Sequence, residues 1–257
     1  MIQHTIGILE IVAILGCLSS CIYYIVCLRS AGAFLRARRA RVSPYSTHAP
    51  PISILKPLKG IDPEIYESFR SHCLQNYPEY EIIFGVSDPA DPAVASVQRL
   101  RQEFPDRAIQ LVLCPNILGP NVKVSNLEQM VRTARHEYLI VNDSDIRVEP
   151  DYLQRIVAPL ADEHVGMVTC LYRGVAAPTL GSQLEALGIS TDFTAGVLAA
   201  QFIEGGLSFG LGSTLAFRRQ NLNLIGGFRS IVEFLADDYE LGHRIASLGL
   251  KIVLSDV

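Results

Sequence analysis

Tyr138-Leu-Ile-Val-Asn-Asp-Ser-Asp145 is an apolar, β-branched run that stops on two carboxylates one residue apart. In an extended strand successive side chains alternate sides, so Asp143 and Asp145 are expected to project from one face. Two such oxygen donors suit a hard divalent cation, Mg2+ or Mn2+, of the kind that also holds a phosphate. The competing reading is a pair of solvated turn residues beyond a buried strand, since Asp is common in turns.

Two further acidic points occur at similar transitions. Glu81-Ile-Ile-Phe-Gly-Val-Ser-Asp88 is a second short apolar run that reaches an Asp, followed by the turn signals Pro89, Asp91 and Pro92. Glu233-Phe-Leu-Ala-Asp-Asp-Tyr-Glu240 is an acidic cluster opening a helix-like segment from Tyr239 to Leu248 that ends at Gly249. In open α/β sheets ligands bind beyond the carboxyl ends of the strands, so carboxylates placed there fit a nucleotide and metal site.

The elements that must hold these residues follow from the pattern between Ile52 and Val141. Apolar runs at Ile52 to Leu55, Glu81 to Val86, Ile109 to Leu113 and Tyr138 to Val141 alternate with amphipathic stretches at Pro63 to Cys73, Ala93 to Phe104 and Ser125 to Ala134. That rhythm predicts an α/β fold with a mostly parallel central sheet and helices on both faces. No GxGxxG follows the first strand and no GxxxxGK[ST] occurs, which sets aside dinucleotide and P-loop readings.

The amino terminus has a different character. No charge occurs from Ile11 to Leu28, a stretch about long enough, with Ile6 to Leu9, to span a bilayer as one transmembrane helix. No Lys or Arg precedes Arg29, so a cleaved signal peptide is disfavoured. Arg29, Arg36, Arg38, Arg39 and Arg41 follow the span and place the rest of the chain on the cytoplasmic side. A buried core helix with a basic cap is the alternative. The Ser-, Pro- and His-containing stretch from Val42 to Pro51 reads as linker, giving an anchor over 1–28, a basic juxtamembrane linker over 29–51 and a catalytic domain over 52–257. The six cysteines form no CxxC pair and read as small buried hydrophobes in a reducing compartment, and a net charge of −4 argues against a nucleic-acid partner.

Six segments together resemble ceramide glucosyltransferases and their bacterial hopanoid-glycosylating relatives. They are Ile52-Ser-Ile-Leu-Lys-Pro-Leu-Lys-Gly-Ile-Asp-Pro63, Asn76-Tyr-Pro, Val86-Ser-Asp88, Pro120-Asn-Val-Lys-Val-Ser-Asn-Leu127, Asn142-Asp-Ser-Asp-Ile-Arg-Val148 and Ala236-Asp-Asp-Tyr239. The resemblance is nearest to the bacterial enzymes that attach N-acetylglucosamine to bacteriohopanetetrol. It implies a GT-A fold, a UDP-sugar donor, a lipid acceptor that is a hopanoid or ceramide, and a bacterial inner membrane location. It also implies an inverting single displacement.

By the same resemblance Asp88 accepts hydrogen bonds from the uracil, Lys123 offsets diphosphate charge, and Asp143 and Asp145 handle the ribose and a divalent cation. Asp238 becomes the general base and Asp237 its neighbour in the nucleotide site, able to tune its pKa. Eukaryotic ceramide enzymes often carry Gly at the position of Asp145, which makes Asp143 the firmer of the two. For Asp88 a turn cap, for Lys123 a solvated surface position, and for Asp237 and Asp238 a favourable place on the helix dipole are the structural alternatives.

The Gly-rich run from Phe202 to Phe217 allows close backbone approach and is expected to border acceptor and sugar. Thr179 to Ala200, apolar and interrupted by Asp192, reads either as a membrane-facing surface or as a buried crossover helix. Members of the resembled family continue with a Gln- or Arg-x-x-Arg-Trp motif and membrane helices, and this chain contains no Trp. That leaves open a sugar-nucleotide-binding membrane protein without catalysis, and a phosphoryl or nucleotidyl transferase using two metal-binding carboxylates.

Overall fold

The structure is a computed structural model that describes residues 2–40, 49–255 and 257. Most of the linker expected between Val42 and Pro51, and Arg41 with it, lies outside the described residues. The chain divides into two compact units, one formed by the N-terminal helix with residues 173–206 and the other by the remainder.

In the first unit, helix α1 runs unbroken from Ile2 to Ala40. The stretch carrying Arg29, Arg36, Arg38 and Arg39 is therefore helical rather than a linker, because Ala, Leu and Arg favour helix and no proline interrupts them. Thirty-nine residues make a helix about 58 Å long, against a hydrocarbon core of about 30 Å. Its apolar side chains from Ile6 to Ile25 are exposed around the whole circumference. A buried core helix is thereby ruled out, and a helix apolar on all sides calls for lipid. Residues α6 (Leu180–Gly188), a π-helical turn (Ile189–Phe193) and α7 (Thr194–Glu204) join into one continuous helix. Thr179 caps its start and Gly205, with φ +72°, ends it. None of the α6 side chains is buried, whereas α7 buries Val197, Leu198 and Ala199, so the buried-crossover reading fails for the first part of this segment only.

The second unit is built on seven strands: β1 (Ile52–Pro57), β2 (Tyr80–Val86), β3 (Ala108–Leu113), β4 (Tyr138–Val141), β5 (Val165–Cys170), β6 (Leu215–Arg218) and β7 (Lys251–Ser255). They are ordered β3-β2-β1-β4-β6-β5-β7. β1 to β4 are mutually parallel, β6 is antiparallel to both of its neighbours, and β7 pairs parallel with β5. Every residue of β1, β2, β5 and β6 is buried, the signature of strands covered on both faces.

The helices of this unit are α2 (Ile65–Cys73), α3 (Ala93–Glu103), α4 (Val122–Met130), α5 (Tyr152–Val157), α8 (Arg219–Leu224) and α9 (Asp237–Ser247). One core face gathers Ile52, Ile54, Phe69, Ile82, Phe84, Leu100, Ile140 and Tyr152. Buried polar groups are tied into it. Glu81 accepts from Ser53, Gln110 and both the backbone and guanidinium of Arg135, and Arg218 donates to the carbonyls of Leu160, Glu163 and Val165.

Candidate active site

β4 ends at Val141, and the chain turns at Ser144 and Asp145, between the two acids. Asn142 is fully buried, and its side-chain amide donates to Tyr152 Oη at 2.9 Å, to the Ser213 carbonyl at 2.8 Å and to Thr214 Oγ1 at 3.1 Å. That inward anchor swings Asp143 out of the sheet, and Asp145 follows in a turn. The expectation that both acids share the face of an extended strand is thus corrected: they sit on a loop beyond β4, at the carboxyl edge of the sheet.

Two lysines address that loop. Lys56, the penultimate residue of β1, is completely buried and donates from Nζ to the Asp143 carbonyl at 2.7 Å. Burial lowers its pKa to about 7 against the opposing pull of Asp143 and Asp145. Sequence reasoning gave Lys56 no role; the signal was a lysine inside the strand-forming run Ile52-Ser-Ile-Leu-Lys-Pro57. Lys123, in the first turn of α4, places Nζ 2.7 Å from Asp143 Oδ1 and 3.3 Å from Asp237 Oδ2. Burial alone would depress it, but the two carboxylates outweigh burial and hold it above the ordinary lysine value.

Asp237 begins α9, two residues earlier than the sequence pattern placed the helix start, and is buried. Asn121, the N-cap of α4, accepts from the Val124 amide. It also donates to the Phe234 carbonyl at 2.9 Å and to Asp237 Oδ1 at 3.3 Å. α4 and the segment that opens α9 are therefore fixed to each other at the point where Lys123 meets Asp237. Asp238 is half-buried, with Oδ1 accepting from the Tyr239 amide. Burial first, then the charge of Asp237, raises its pKa above the ordinary carboxylate range.

Gly212 closes the arrangement. A Cβ on it would stand 3.1 Å from Asp238 Oδ2 and 3.4 Å from Asp143 Oδ2, so the two carboxylates flank a gap that glycine leaves open. The rings of Phe209, Tyr239 and His243 stack in sequence beside Asp238, centroids 5.8 and 5.9 Å apart.

Asp88 lies at the same carboxyl edge, at the end of β2. It is exposed, and its Oδ1 accepts from the Ala90 amide at 2.8 Å, so the turn-capping role foreseen as its alternative is present. β1 lies between β2 and β4, which puts Asp88 about two strand spacings, or roughly 10 Å, from the Asp143 loop. The structure thus brings Lys123, Asp143, Asp237 and Asp238 together, with Asp145 on the adjoining turn and Asp88 apart.

Over residues 12–257 the sequence matches the family model for glycosyl transferase family 21. The chain belongs to that family. Ceramide glucosyltransferase 1 of Caenorhabditis elegans is 24% identical over 247 residues, covering 96% of this chain and 52% of that protein. The ceramide glucosyltransferase of Candida albicans is 32% identical over 121 residues, 42% of this chain and 22% of its own length. This family 21 chain spans about half the length of the Caenorhabditis relatives it matches.

Among solved structures, the mannosyltransferase PcManGT from Pyrobaculum calidifontis, in complex with GDP-Man and Mn2+, superimposes with a TM-score of 0.65. Its sequence identity is 23%, over 92% of this chain and 65% of that one. Staphylococcus aureus TarS 1-349 gives a TM-score of 0.53 at 16% identity, covering 80% and 58%. At these identities the likeness establishes the fold, a GT-A-like mixed and mostly parallel sheet.

Proposed function

We propose that this chain moves a hexose from a UDP-sugar to the hydroxyl of a membrane lipid of the ceramide class, with inversion at the anomeric carbon. The observation that carries the reading is the pair of carboxylates, Asp143 and Asp238, facing each other across Gly212 at the carboxyl edge of the sheet in a family 21 chain. The acceptor oxygen attacks the anomeric carbon as the bond from that carbon to the diphosphate oxygen breaks, UDP leaving with the electron pair. Asp238 takes the acceptor proton, and its raised pKa brings it nearer to the pH at which a base is effective. Lys123 balances charge between Asp143 and Asp237 and stands ready for the diphosphate, while Asp88, two strands away, suits the uracil end.

The donor set fits a divalent cation. Asp143 and Asp145 supply oxygen ligands only, and the Asp145 carboxyl is raised by burial and then by the negative charges of Asp143 and Asp62, the condition a bound cation relieves. Among the described residues no three His, Cys, Asp or Glu side chains form a cage, so an ion held by Asp143 and Asp145 would need further ligands from the substrate phosphate. When bound, such an ion would neutralise charge on the departing diphosphate.

The ceramide-class acceptor is preferred to a hopanoid because the curated relatives are ceramide glucosyltransferases. α1 would anchor the protein, with its arginines on the cytoplasmic side. The test offers membranes containing the full protein labelled UDP-glucose or UDP-N-acetylglucosamine with ceramide or bacteriohopanetetrol. Asp238→Asn serves as the control. Glucosylated ceramide that disappears in the variant supports the proposal. Product on bacteriohopanetetrol alone moves the acceptor to the hopanoid class, and no product with any pair refutes transfer to either lipid.

A further inference from the structure

The continuous helix from Leu180 to Glu204 presents an apolar stripe that no described residue covers. Leu180, Leu184 and Leu187, at i, i+4 and i+7, are 73%, 59% and 59% exposed, and Ile203 is 71% exposed near the other end. At 25 residues it is about 37 Å long, enough to cross a bilayer of about 30 Å.

The connectivity forbids that crossing. β5 before the helix and β6 after it are hydrogen-bonded neighbours in one sheet, so the chain must leave and return on the same side of the membrane. After the helix only Gly205 and Gly206 intervene before Leu207, which bridges Ile252 of β7. A crossing would have to be undone by Leu171 to Thr179, a stretch with neither helix nor strand that carries Arg173. Irregular backbone exposed to hydrocarbon leaves its amides and carbonyls unpaired and does not occur.

α1 sets the level. Within their common unit α7 packs against α1. The side chains of α1 from Ile8 to Ile25 are uncovered; cover begins at Val26 and Ser30 is buried, beside Arg29, the first cation after the apolar span. We infer that Leu180–Glu204 is an in-plane helix seated in the cytoplasmic-leaflet interface, its leucine stripe about 5–10 Å into the boundary between headgroups and acyl chains. Its occupant is the lipid surface. No Lys or Arg occurs from Gly174 to Ala216, so attachment comes from apolar burial and not from attraction to anionic lipid. Glu185, Asp192 and Glu204 fall outside the leucine series and are exposed. The inference rests on the membrane-anchored reading above, and gives the protein a platform at the depth where a lipid hydroxyl lies.

The chain has no Trp, so each introduced Trp is a unique fluorophore. The chain of residues 1–257 carrying Leu180→Trp, Leu184→Trp, Leu187→Trp or Ile203→Trp, with Ile14→Trp on α1 as reference, is reconstituted in phosphatidylcholine vesicles. The acyl chains are brominated either near the glycerol or near the terminal methyl. All four helix variants should lose more fluorescence to the shallow bromines, with one common ratio, whereas Ile14→Trp responds to the deep ones. Deep quenching at Leu187→Trp with shallow quenching at Leu180→Trp and Ile203→Trp would mean a span and overturn the inference. No quenching on the helix beside a quenched Ile14→Trp would assign the stripe to a protein partner and overturn it as well. An unquenched Ile14→Trp would remove the anchored reading itself, and the in-plane helix with it.

Discussion

Gly212→Ala asks the most pointed question of the site. The new methyl carbon would stand 3.1 Å from Asp238 Oδ2 and 3.4 Å from Asp143 Oδ2. A contact of 3.4 Å is ordinary and one of 3.1 Å is tight, so Asp238 must retreat by a few tenths of an ångström while Asp143 can stay in place. Gly212 is not in the left-handed region, and what it meets is side chain and not backbone, so the fold should tolerate alanine with a change within about 0.5 kcal/mol. Catalysis is less forgiving. If a misplacement of about 1 Å costs roughly 10²-fold, a few tenths should cost about three- to tenfold in kcat, and Gly212→Val more. Gly242→Ala is the contrast: its Cβ would meet the Gly210 amide nitrogen at 2.2 Å and the Phe209 carbonyl carbon at 2.4 Å, backbone that cannot yield, so stability must fall. Initial rates and Tm measured on the same preparations separate the two effects. Gly212→Ala with wild-type kcat, or with a Tm loss equal to that of Gly242→Ala, would refute the view that the two carboxylates cooperate across this gap.

Asp238→Asn should lower kcat by about 10²- to 10⁴-fold while leaving binding of the UDP-sugar, measured by calorimetry, within a few-fold of wild type. Because the base works deprotonated, kcat should fall as pH drops through the raised pKa of Asp238. Asp237→Asn, by removing one of the charges that raise it, should shift this acid limb of the rate profile to lower pH. Lys56, lowered to about 7 when folded, has an ordinary value of 10.5 in the unfolded chain, which then binds more protons between those limits, so stability rises with pH there. Lys56→Met should abolish that contribution. It would be read as the difference in Tm between wild type and variant from pH 7 to 9, in which the contribution of the buried thiols of Cys73 and Cys114, common to both proteins, cancels. Asp143→Asn should abolish turnover, whereas Asp145→Asn should chiefly raise the Mn2+ concentration required for half-maximal rate in a metal titration.

Strands β1 to β4 were legible in the sequence because β-branched runs such as Tyr138 to Val141 and Ile82 to Val86 have no competing helical period, whereas β5 and β6 were not read from it. The loop geometry was not. Asp143 leaves the strand because Asn142 is held inward by Tyr152, Ser213 and Thr214, contacts ten and more than seventy residues away in the chain. Lys56 escaped for a related reason. Its partner, the carbonyl of Asp143, is 87 residues distant, and the two meet only because β4 enters the sheet beside β1 and not beside β3. The second acidic point was readable as a helix start, but its position against Lys123 depends on Asn121 tying α4 to Phe234 and Asp237. The apolar stretch after Thr179 gave its composition but not its surroundings, since exposure is set by what the rest of the chain leaves uncovered.

The distribution of charge explains why Asp143 and Asp145, one residue apart, are not equivalent. Asp143 is held at both ends, its carbonyl by buried Lys56 and its carboxylate by Lys123, so its position is fixed before any ligand arrives. Among the described residues no lysine or arginine pairs with Asp145, whose carboxyl is raised by burial and by the neighbouring charges of Asp143 and Asp62. Lys123 is also shared with Asp237, whose charge in turn raises Asp238. A cation or diphosphate arriving at Asp143 must therefore compete with, or recruit, the ammonium that balances Asp237. In the proposed reaction the electrostatics of the donor site and the basicity of Asp238 would be linked through this one side chain, so that the base responds to whether the donor is in place.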